Sequence, residues 1–486
     1  MKKTVFLTGA SGSMGSEAFK ELFKRRDRFK IILLLLPGKK ERRFFEPYRK
    51  EKEINIIWGD ITNYNDVLRG VTNADYVLNT AAIIPPLADH FPELATKVNF
   101  HGVKNILKAI KAQPLGSQRI KFVNVASVAM TGERLPPIHL GRVGDPLKPS
   151  LYDNYALSKI AAERETIESG LKYWVSLRMT YIAIPNILSL LNPIMFHQPL
   201  ATCCELITKR DAGYMIANIC EDHIPENFWR QVYNVSGGPA TRFVYYKYLY
   251  DIFKLLGLGD FRQLIERKWF CLHNFHCHFF EDSYVLNSYL HHWRDTLQDH
   301  YRQILEESPF ILKLYRKSFL HRIVHPCFIK NFIMKPKAYA RDGPMGWVKN
   351  KDLNRISAFY GSYANLHTIP EWGEFEKIKI NPSFRLEHGY DENKPDQDLE
   401  IKDLQEAAKF RGGKCRSEQM IPGDLHSKLK WECAFGHQFS ASPYLIIKAG
   451  HWCPICDFSP QNFPKIALNN PFFAQVWRSI PTKVVK

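Results

Sequence analysis

The sequence predicts an α/β protein: a doubly wound parallel sheet with a smaller second lobe, followed by a helical extension and a small C-terminal module. Three observations carry this. Short β-prone runs alternate with helical patterns through residues 1–310. The first run, "TVFLTGASGSMGSEAFKEL", passes through a loop of small residues straight into a helix pattern. A Cys/His cluster lies near the other end of the chain.

The elements follow in order. Val5–Leu7 reads as a strand and Ser16–Lys24 as a helix. Ile31–Leu36 and Ile54–Trp58 are apolar strands, with a helix near Tyr64–Arg69. Tyr76–Leu78 is a strand, Glu93–Ala112 a long helix, Ile120–Val125 a strand and Tyr155–Glu168 a helix. Residues 311–385 carry basic, aromatic helical patterns. Residues 386–400, "LEHGYDENKPDQDLE", are polar and acidic and read as a linker. Residues 401–486 form the C-terminal module and tail.

Composition sets outer limits. The chain has 486 residues, 45% hydrophobic and 24% charged, ordinary for a globular protein with room for several domains. No uncharged apolar run approaches the roughly 18 residues of a membrane span. The apolar start is too short for a signal peptide, so a cytoplasmic location is expected. The ten cysteines fit a reducing compartment, and only Cys433, Cys453 and Cys456 cluster with ligand-like spacing. The net charge of +18 favours anionic partners: a phosphorylated cofactor, a nucleic acid or a membrane surface. For the basic density between Lys313 and Arg355 the plainer reading is a solvated surface.

Gly9, Gly12 and Gly15 form G-x-x-G-x-x-G between a strand and a helix, with Ser11 and Met14 among them. Glycine permits the tight turn and close backbone approach to a pyrophosphate, and the helix N-terminus offers free N–H groups to that anion. The loop predicts a bound dinucleotide. At the end of the second strand, where an NAD site usually places a carboxylate on the ribose 2′-hydroxyl, the chain reads "LLLLPGKKERR". Lys39 and Lys40 come before any acid. Cations there suit a 2′-phosphate, favouring NADP(H) over NAD(H).

"YALSK" places Tyr155 and Lys159 on one helix face, where the ammonium is expected to favour the phenolate. Tyr155 is then a general acid/base for an alcohol–carbonyl pair. "NVASVAMTG" puts Ser127 just past a strand end, where its hydroxyl can bind the reacting oxygen.

Residues 1–310 resemble the extended short-chain dehydrogenase/reductase family, with its Rossmann-type sheet and substrate-binding subdomain. The matching stretches are "TGASGSMG", "WGDIT", "NTAA", "VNFHGVKNIL", "NVASVAMTG", "YALSK", "LRMTYIAIP", "KRDAGYMI" and "VYNVSGG". The resemblance implies that Asp60 and Ile61 lie by the adenine. It implies that Ala81 and Ala82 line the cofactor, that Ser127, Tyr155 and Lys159 are the catalytic triad, and that Tyr155 and Lys159 also contact the cofactor, Lys159 at the nicotinamide ribose. Asn99 looks like the family's structural asparagine, with a part in a proton path. A homodimer through two helices packed as a four-helix bundle is also implied. "YIAIP" departs from the family's Y-G-P, and Met130 and Thr131 stand where a tyrosine is common.

Between Arg178 and Lys209 there is no Lys or Arg. Ile182, Ile184, Ile187, Leu188, Leu190, Leu191, Ile194, Met195 and Phe196 make this segment apolar, suiting a hydrophobic ligand; core packing is the plainer alternative. "CLHNFHCHFF" reads as an aromatic pocket wall, with His276 or His278 as polar contacts, rather than as a metal site. The helical extension packs on the reductase domain in the plainer reading, or lies on a membrane surface.

Cys433, His437, Cys453 and Cys456 give C-x₃-H then C-x₂-C, four ligands for a closed structural zinc site. This stretch resembles zinc-ribbon-like repeats of some nucleases and bacterial proteins, with Cys415 outside the ligand set. A module this small is expected to need the metal to fold.

The leading expectation is an NADP(H)-dependent oxidoreductase interconverting an alcohol and a carbonyl on a hydrophobic substrate of hydroxysteroid, terpenoid or lipid type. Two alternatives stay open. One is a nucleotide-sugar epimerase or dehydratase with tightly bound NAD. The other is an NADP(H)-sensing protein that binds nucleic acid or protein through its zinc module.

Overall fold

Runs of buried Val, Ile, Leu and Phe make the seven central strands: β1 (Lys3–Thr8), β2 (Phe29–Leu35), β3 (Ile54–Trp58), β4 (Tyr76–Asn79), β5 (Lys121–Ser127), β6 (Trp174–Met179) and β7 (Gln231–Val235). Near-continuous apolar strands need cover on both faces, which is the parallel-sheet condition. They pair in parallel in the order β3-β2-β1-β4-β5-β6-β7. The order reverses between β1 and β4, and the crevice beyond their carboxyl ends is where such sheets bind ligands. The computed structural model describes residues 2–134, 137–186, 192–310, 313, 326–373 and 381–477.

Helices cover both faces. One layer holds α1 (Ser13–Lys24), which starts earlier than its periodicity predicts. An unpredicted helix, α2 (Lys39–Phe45), follows β2 and carries Lys39 and Lys40 in its first turn. On the other face lie α3 (Tyr64–Val71) and α4, in which Pro92–Thr96, Lys97–His101 and Gly102–Lys111 run on with a π turn in the middle. With them lies α5 (Asn154–Ile167). Helix α6 (Lys209–Asn218) packs on α1 so closely that a Cβ on Gly213 would stand 2.3 Å from Glu17 Cβ.

A second lobe grows beyond the carboxyl ends of β6 and β7. It holds a short antiparallel pair, Cys203–Glu205 with Arg242–Val244, and α7 (Tyr245–Leu255). It also includes α8, in which Pro326–Ile329, Lys330–Met334 and Lys335–Ala338 run on, again through a π turn. Phe196, Trp269, Trp347 and Tyr360 pack in its core. Ile187, Leu188, Leu190 and Leu191, and the helical pattern at 311–325 apart from Lys313, lie outside the described residues. Among the described residues no helix is long and apolar enough to cross a membrane.

The C-terminal part contains α9 (Ile401–Phe410) and the antiparallel strands β8 (Lys414–Cys415), β9 (Leu429–Glu432) and β10 (Gln438–Ala441). It is not a free appendage. Leu445, Ile446 and Trp452 share one continuous apolar core with Ile106 and Ile110 of α4, Ala162 and Ile167 of α5, and Trp174 of β6. Residues 386–400, expected as a linker, lie against the sheet domain: His388 Nε2 meets Asp145 at 3.0 Å and Arg142 meets Glu392 at 2.7 Å. Arg164 of α5 donates to the Trp452 carbonyl at 3.0 Å, and Glu168 accepts from the Ser442 hydroxyl and N–H, so this chain's own module occupies part of the α5 surface.

Two histidines make stability depend on pH. His292 and His300 have no exposed surface; His292 Nε2 lies 3.1 Å from the Ser236 carbonyl and His300 Nε2 2.9 Å from the Tyr248 hydroxyl. Burial pulls both down to about 4 from 6.5. The unfolded chain therefore binds protons that the folded chain refuses. Their contribution to stability is present above about pH 6.5 and is lost as pH drops toward 4, by on the order of 1–2 kcal/mol per histidine at pH 5. In thermal melts from pH 8 to 5, His300→Gln is expected to lose less Tm than the parent as pH falls.

Candidate active site and metal centre

The β1–α1 turn is built by its glycines. Gly9 has φ +71°, and a Cβ there would lie 2.5 Å from the Ala81 nitrogen. A Cβ on Gly15 would lie 2.2 Å from the Gly9 carbonyl oxygen. Gly12 donates to that same carbonyl at 2.9 Å. Gly12 caps α1 in extended conformation, and the first turn of the helix holds no acid. Free N–H groups therefore end α1 beside the crevice. Ser11 is exposed, whereas the Met14 side chain is buried in the core, leaving only its backbone to the loop. Thr8 fastens β1 to β4 by donating to Asn79 Oδ1 at 2.7 Å, which sets Ala81 and Ala82 at the mouth of the turn.

Lys39 and Lys40 are exposed at the start of α2, just past the end of β2. Arg42 lies over the Trp58 ring at 4.5 Å, so cations flank the place where an adenosine ribose sits in such sheets. At the end of β3, Asp60 Oδ1 accepts from Thr62 N at 2.8 Å, and the Ile61 carbonyl accepts from Asn105 at 3.0 Å.

Asn99 sits on the π turn of α4 and is buried. It accepts from Ile83 N at 2.8 Å and donates to the Ile83 carbonyl at 2.9 Å and to Ser158 Oγ at 3.0 Å. It ties the loop after Ala82 to the residue beside Lys159.

Ser127 ends β5; Tyr155 and Lys159 lie on α5, whose N-terminus is capped by Asp153 accepting from Ala156 N at 2.8 Å. The Tyr155 hydroxyl faces Ser127, whose side chain favours the phenolate. Lys159 Nζ donates to the Val125 carbonyl at 2.6 Å and lies 5.7 Å from the Tyr155 ring centroid. The expected lowering of the tyrosine's pKa is not what this arrangement gives. Burial pushes Tyr155 up to about 12; the Ser127 side chain opposes this and the Asp153 carboxylate adds to it. Burial also pulls Lys159 down to about 8.

A cavity of about 430 Å³ opens from Ser127 into the second lobe. Its walls include Thr180 beyond β6, Met195, Leu249 and Phe253 of α7, and Ile329 and Met334 of α8. Phe275 and His276, stacked at 4.7 Å, also line it, whereas His278 is buried against Gly141, outside the lining. None of the described lining residues is Lys or Arg.

Sequence reasoning missed Asp153. Its carboxylate lies 3.8 Å from His276 Nδ1. Burial pushes Asp153 up to about 7 and pulls His276 down to about 4. Asn274, at φ +68°, accepts from Leu151 N and donates to the Leu151 carbonyl, which clamps the His276 loop to the approach to α5. The only sequence signal was an aspartate just before a helix, which reads as an ordinary cap.

Cys433, His437, Cys453 and Cys456 converge. His437 Nδ1 lies 3.3 Å from Cys433 Sγ, 3.5 Å from Cys453 Sγ and 3.6 Å from Cys456 Sγ; Cys433 and Cys456 Sγ are 3.9 Å apart. A tetrahedral ion with bonds of about 2.3 Å to sulfur and 2.0–2.1 Å to nitrogen requires edges near 3.8 Å and 3.6 Å. The four residues therefore fit a closed metal site. Gly436, at φ +76°, makes the turn between the first pair, and Cys453 leads into the short helix Pro454–Asp457 that holds Cys456. Cys415 lies outside the cluster, with its thiol near the Ser417 carbonyl.

The Cys/His cluster is anchored on α5, the helix of Tyr155 and Lys159. His451 Nε2 lies 3.0 Å from Glu163 Oε1, one turn beyond Lys159. Glu163 also accepts from Arg178 at 2.6 Å and Ser176 at 2.8 Å, and Arg178 donates to the Ala449 carbonyl at 2.7 Å. Burial opposes the charge on Glu163, but Arg178 and the His451 hydrogen bond hold its pKa down to about 2.

Comparison with known proteins agrees with this geometry. Residues 5–194 match the family model of the NAD dependent epimerase/dehydratase family. A 3-beta-hydroxysteroid dehydrogenase of Mycolicibacterium neoaurum is 29% identical over 169 residues, 33% of this chain and 41% of that protein. A UDP-glucose 4-epimerase of Rickettsia bellii is 30% identical over 118 residues, 22% of this chain and 32% of that protein. The chain thus spans less than half the length of these relatives. In overall fold it is similar to the crystal structure of a dTDP-glucose 4,6-dehydratase from Bacillus anthracis in complex with NAD. That likeness has a TM-score of 0.51 at 15% identity and covers 66% of this chain and 98% of that one. Residues 5–194 therefore match the NAD dependent epimerase/dehydratase family, and the seven-stranded parallel sheet that they begin has the fold of a dTDP-glucose 4,6-dehydratase.

Proposed function

We propose that the protein is an NADP(H)-dependent oxidoreductase that interconverts an alcohol and a carbonyl on a hydrophobic substrate, of the hydroxysteroid, terpenoid or lipid type. The observation that carries this reading is the apolar cavity that begins at Ser127, beside the Tyr155 hydroxyl. One polar end and an apolar body match a ligand with a single reacting oxygen on a hydrocarbon frame. A hydroxysteroid dehydrogenase among the relatives supports the same substrate class.

The backbone of Gly9–Gly15 and the N-terminus of α1 would hold the dinucleotide pyrophosphate, with Ala81 and Ala82 beside it and Lys159 on the nicotinamide ribose. The bound nicotinamide supplies or accepts the hydride. Ser127 orients the substrate oxygen. Tyr155 donates its phenolic proton to that oxygen in reduction and takes it back in oxidation. Burial keeps the phenol protonated near neutrality, which suits the reducing direction. Asn99 holds the 83 loop against α5. In the C-terminal module, zinc is the proposed ion of the Cys₃His cluster, in a structural role because four protein ligands leave no open position.

A nucleotide-sugar epimerase is the second reading, favoured by the relative of that activity. The cavity speaks against it: a substrate pyrophosphate needs cationic partners, and its described lining provides none.

Fluorescence titration with NADPH and NADH tests the reading, after a check for cofactor that co-purifies. NADPH is expected to bind more tightly and to exchange, and reduction of a panel of hydrophobic ketones follows. NAD that stays bound without exchange would transfer support to the epimerase. Lys39→Ala with Lys40→Ala is expected to weaken NADPH binding about 10- to 100-fold and leave NADH within roughly twofold, because charge-assisted bonds to the 2′-phosphate are lost. Equal weakening of both would show that these lysines do not read the 2′ position.

A further inference from the structure

Helix α8 has two apolar faces. Its π turn adds one residue, so Ile329 and Met334, five apart, both face the cavity. On the outside, Phe328 and Phe332 stack with ring centroids 4.8 Å apart and are 52% and 70% exposed. Ile333 belongs to both sides: it lines the cavity and is exposed. The helix is thus the wall between the cavity and the exterior, and at Ile333 one side chain reaches both. Nearby, Pro309 lines the cavity while Phe310 is exposed.

Charge accompanies this surface. Residues 326–341 contain Lys330, Lys335, Lys337 and Arg341 and no acid. Lys330 is paired with Glu266 at 3.1 Å, whereas Lys335, Lys337 and Arg341 are exposed. His90 meets Asp342 at 2.9 Å, which brings the short helix Leu87–His90 alongside, and Leu87 and Phe91 there are exposed as well. Soluble proteins seldom leave large apolar side chains grouped in this way without a use.

We propose that the outer face of α8 seats the protein on an anionic lipid surface, with Phe328 and Phe332 entering the acyl boundary and Lys335, Lys337 and Arg341 on the headgroups. Stacked rings supply apolar insertion, and an acid-free cationic segment supplies the attraction. The lipid surface, rather than a protein partner, is chosen by that charge and by the cavity directly behind the wall. An apolar substrate partitions into the bilayer, and a wall lying on the bilayer shortens its path to Ser127. This last step rests on the oxidoreductase reading; the docking surface does not.

Co-sedimentation of the full-length protein with vesicles of phosphatidylcholine alone, and of phosphatidylcholine mixed with phosphatidylglycerol, is the test. The expected result is salt-sensitive binding to the anionic vesicles and little to the neutral ones. Phe328→Ser with Phe332→Ser is expected to weaken it about tenfold or more, with Tm and NADPH binding unchanged. Absence of binding to anionic vesicles, or a double serine variant that binds as the parent does, overturns the proposal. So does a protein that ignores vesicles but self-associates through these phenylalanines. Sedimentation needs neither cofactor nor turnover, so its failure leaves the oxidoreductase reading intact. Conversely, a failed ketone panel leaves vesicle binding to stand by itself.

Discussion

Tyr155→Phe is expected to lower kcat for ketone reduction by roughly 10³-fold, within the range that positioned acid–base groups contribute. Its NADPH affinity is expected to stay within about twofold of the parent, since the glycine turn, Lys39, Lys40 and Lys159 are untouched. The phenylalanine keeps the ring's packing on α5 and removes only the hydroxyl that meets Ser127. Ser127→Ala is expected to cost about 10²-fold, because the substrate oxygen loses one donor while the proton source remains. The double variant is expected to be little worse than Tyr155→Phe alone, as groups acting on one proton do not contribute independently. Single-turnover reduction of bound substrate with NADPH separates these effects from binding. A Tyr155→Phe enzyme with near-parental kcat would move the proton's source elsewhere, and Asp153 with His276 is the only other acid–base pair seen at this end of the cavity among the described residues.

The parts of this candidate site that are legible in the sequence are those set by local structure. Gly9, Gly12 and Gly15 are legible because a strand–turn–helix needs them within one short stretch. Tyr155 and Lys159 are legible because a helix turn sets their spacing, and the Cys433, His437, Cys453 and Cys456 cluster because each of its two pairs spans a few residues. What sequence hid is long-range. Asp153 and His276 are 123 positions apart, and Asn274 holds their loops together by bonding the backbone of Leu151. The π turns of α4 and α8 leave no periodic trace, yet one places Asn99 on Ile83 and the other doubles the apolar faces of α8. The Lys159 ammonium was expected to draw the tyrosine's pKa down. Only the fold shows it donating to Val125 and burial outweighing its effect. The acidic stretch 386–400 reads as a linker because its anchors, Asp145 and Arg142, lie some 240 residues away in sequence.

The Cys/His cluster is where local and long-range structure meet, and removal of the metal proposed there is expected to affect the whole enzyme. A zinc-ribbon-like stretch taken alone would lose its own fold with the ion and leave the rest standing. Here Leu445, Ile446 and Trp452 lie in one core with α4, α5 and β6, and His451 reaches Glu163 on the helix that carries Tyr155 and Lys159. Binding energies of structural zinc, on the order of 10 kcal/mol, are comparable to the stability of a whole domain. Chelation, or Cys453→Ser, is therefore expected to release about one equivalent of metal, lower Tm in a single transition and reduce turnover. Hydrogen exchange in α5 should rise along with these changes. His451→Gln separates the two roles. It keeps all four ligands and alters only the bond to Glu163, so metal content should hold while stability falls by about 1–3 kcal/mol. If the chelated protein instead melts in two steps, with the reductase transition and its activity unmoved, the module is an independent domain and the Glu163 contact carries nothing to the active site. Because Arg178 and Ser176 also hold Glu163, a result between these extremes would be read from α5 itself: exchange confined to the end near Glu163 marks loss of the anchor, and exchange reaching Tyr155 marks loss of the catalytic geometry.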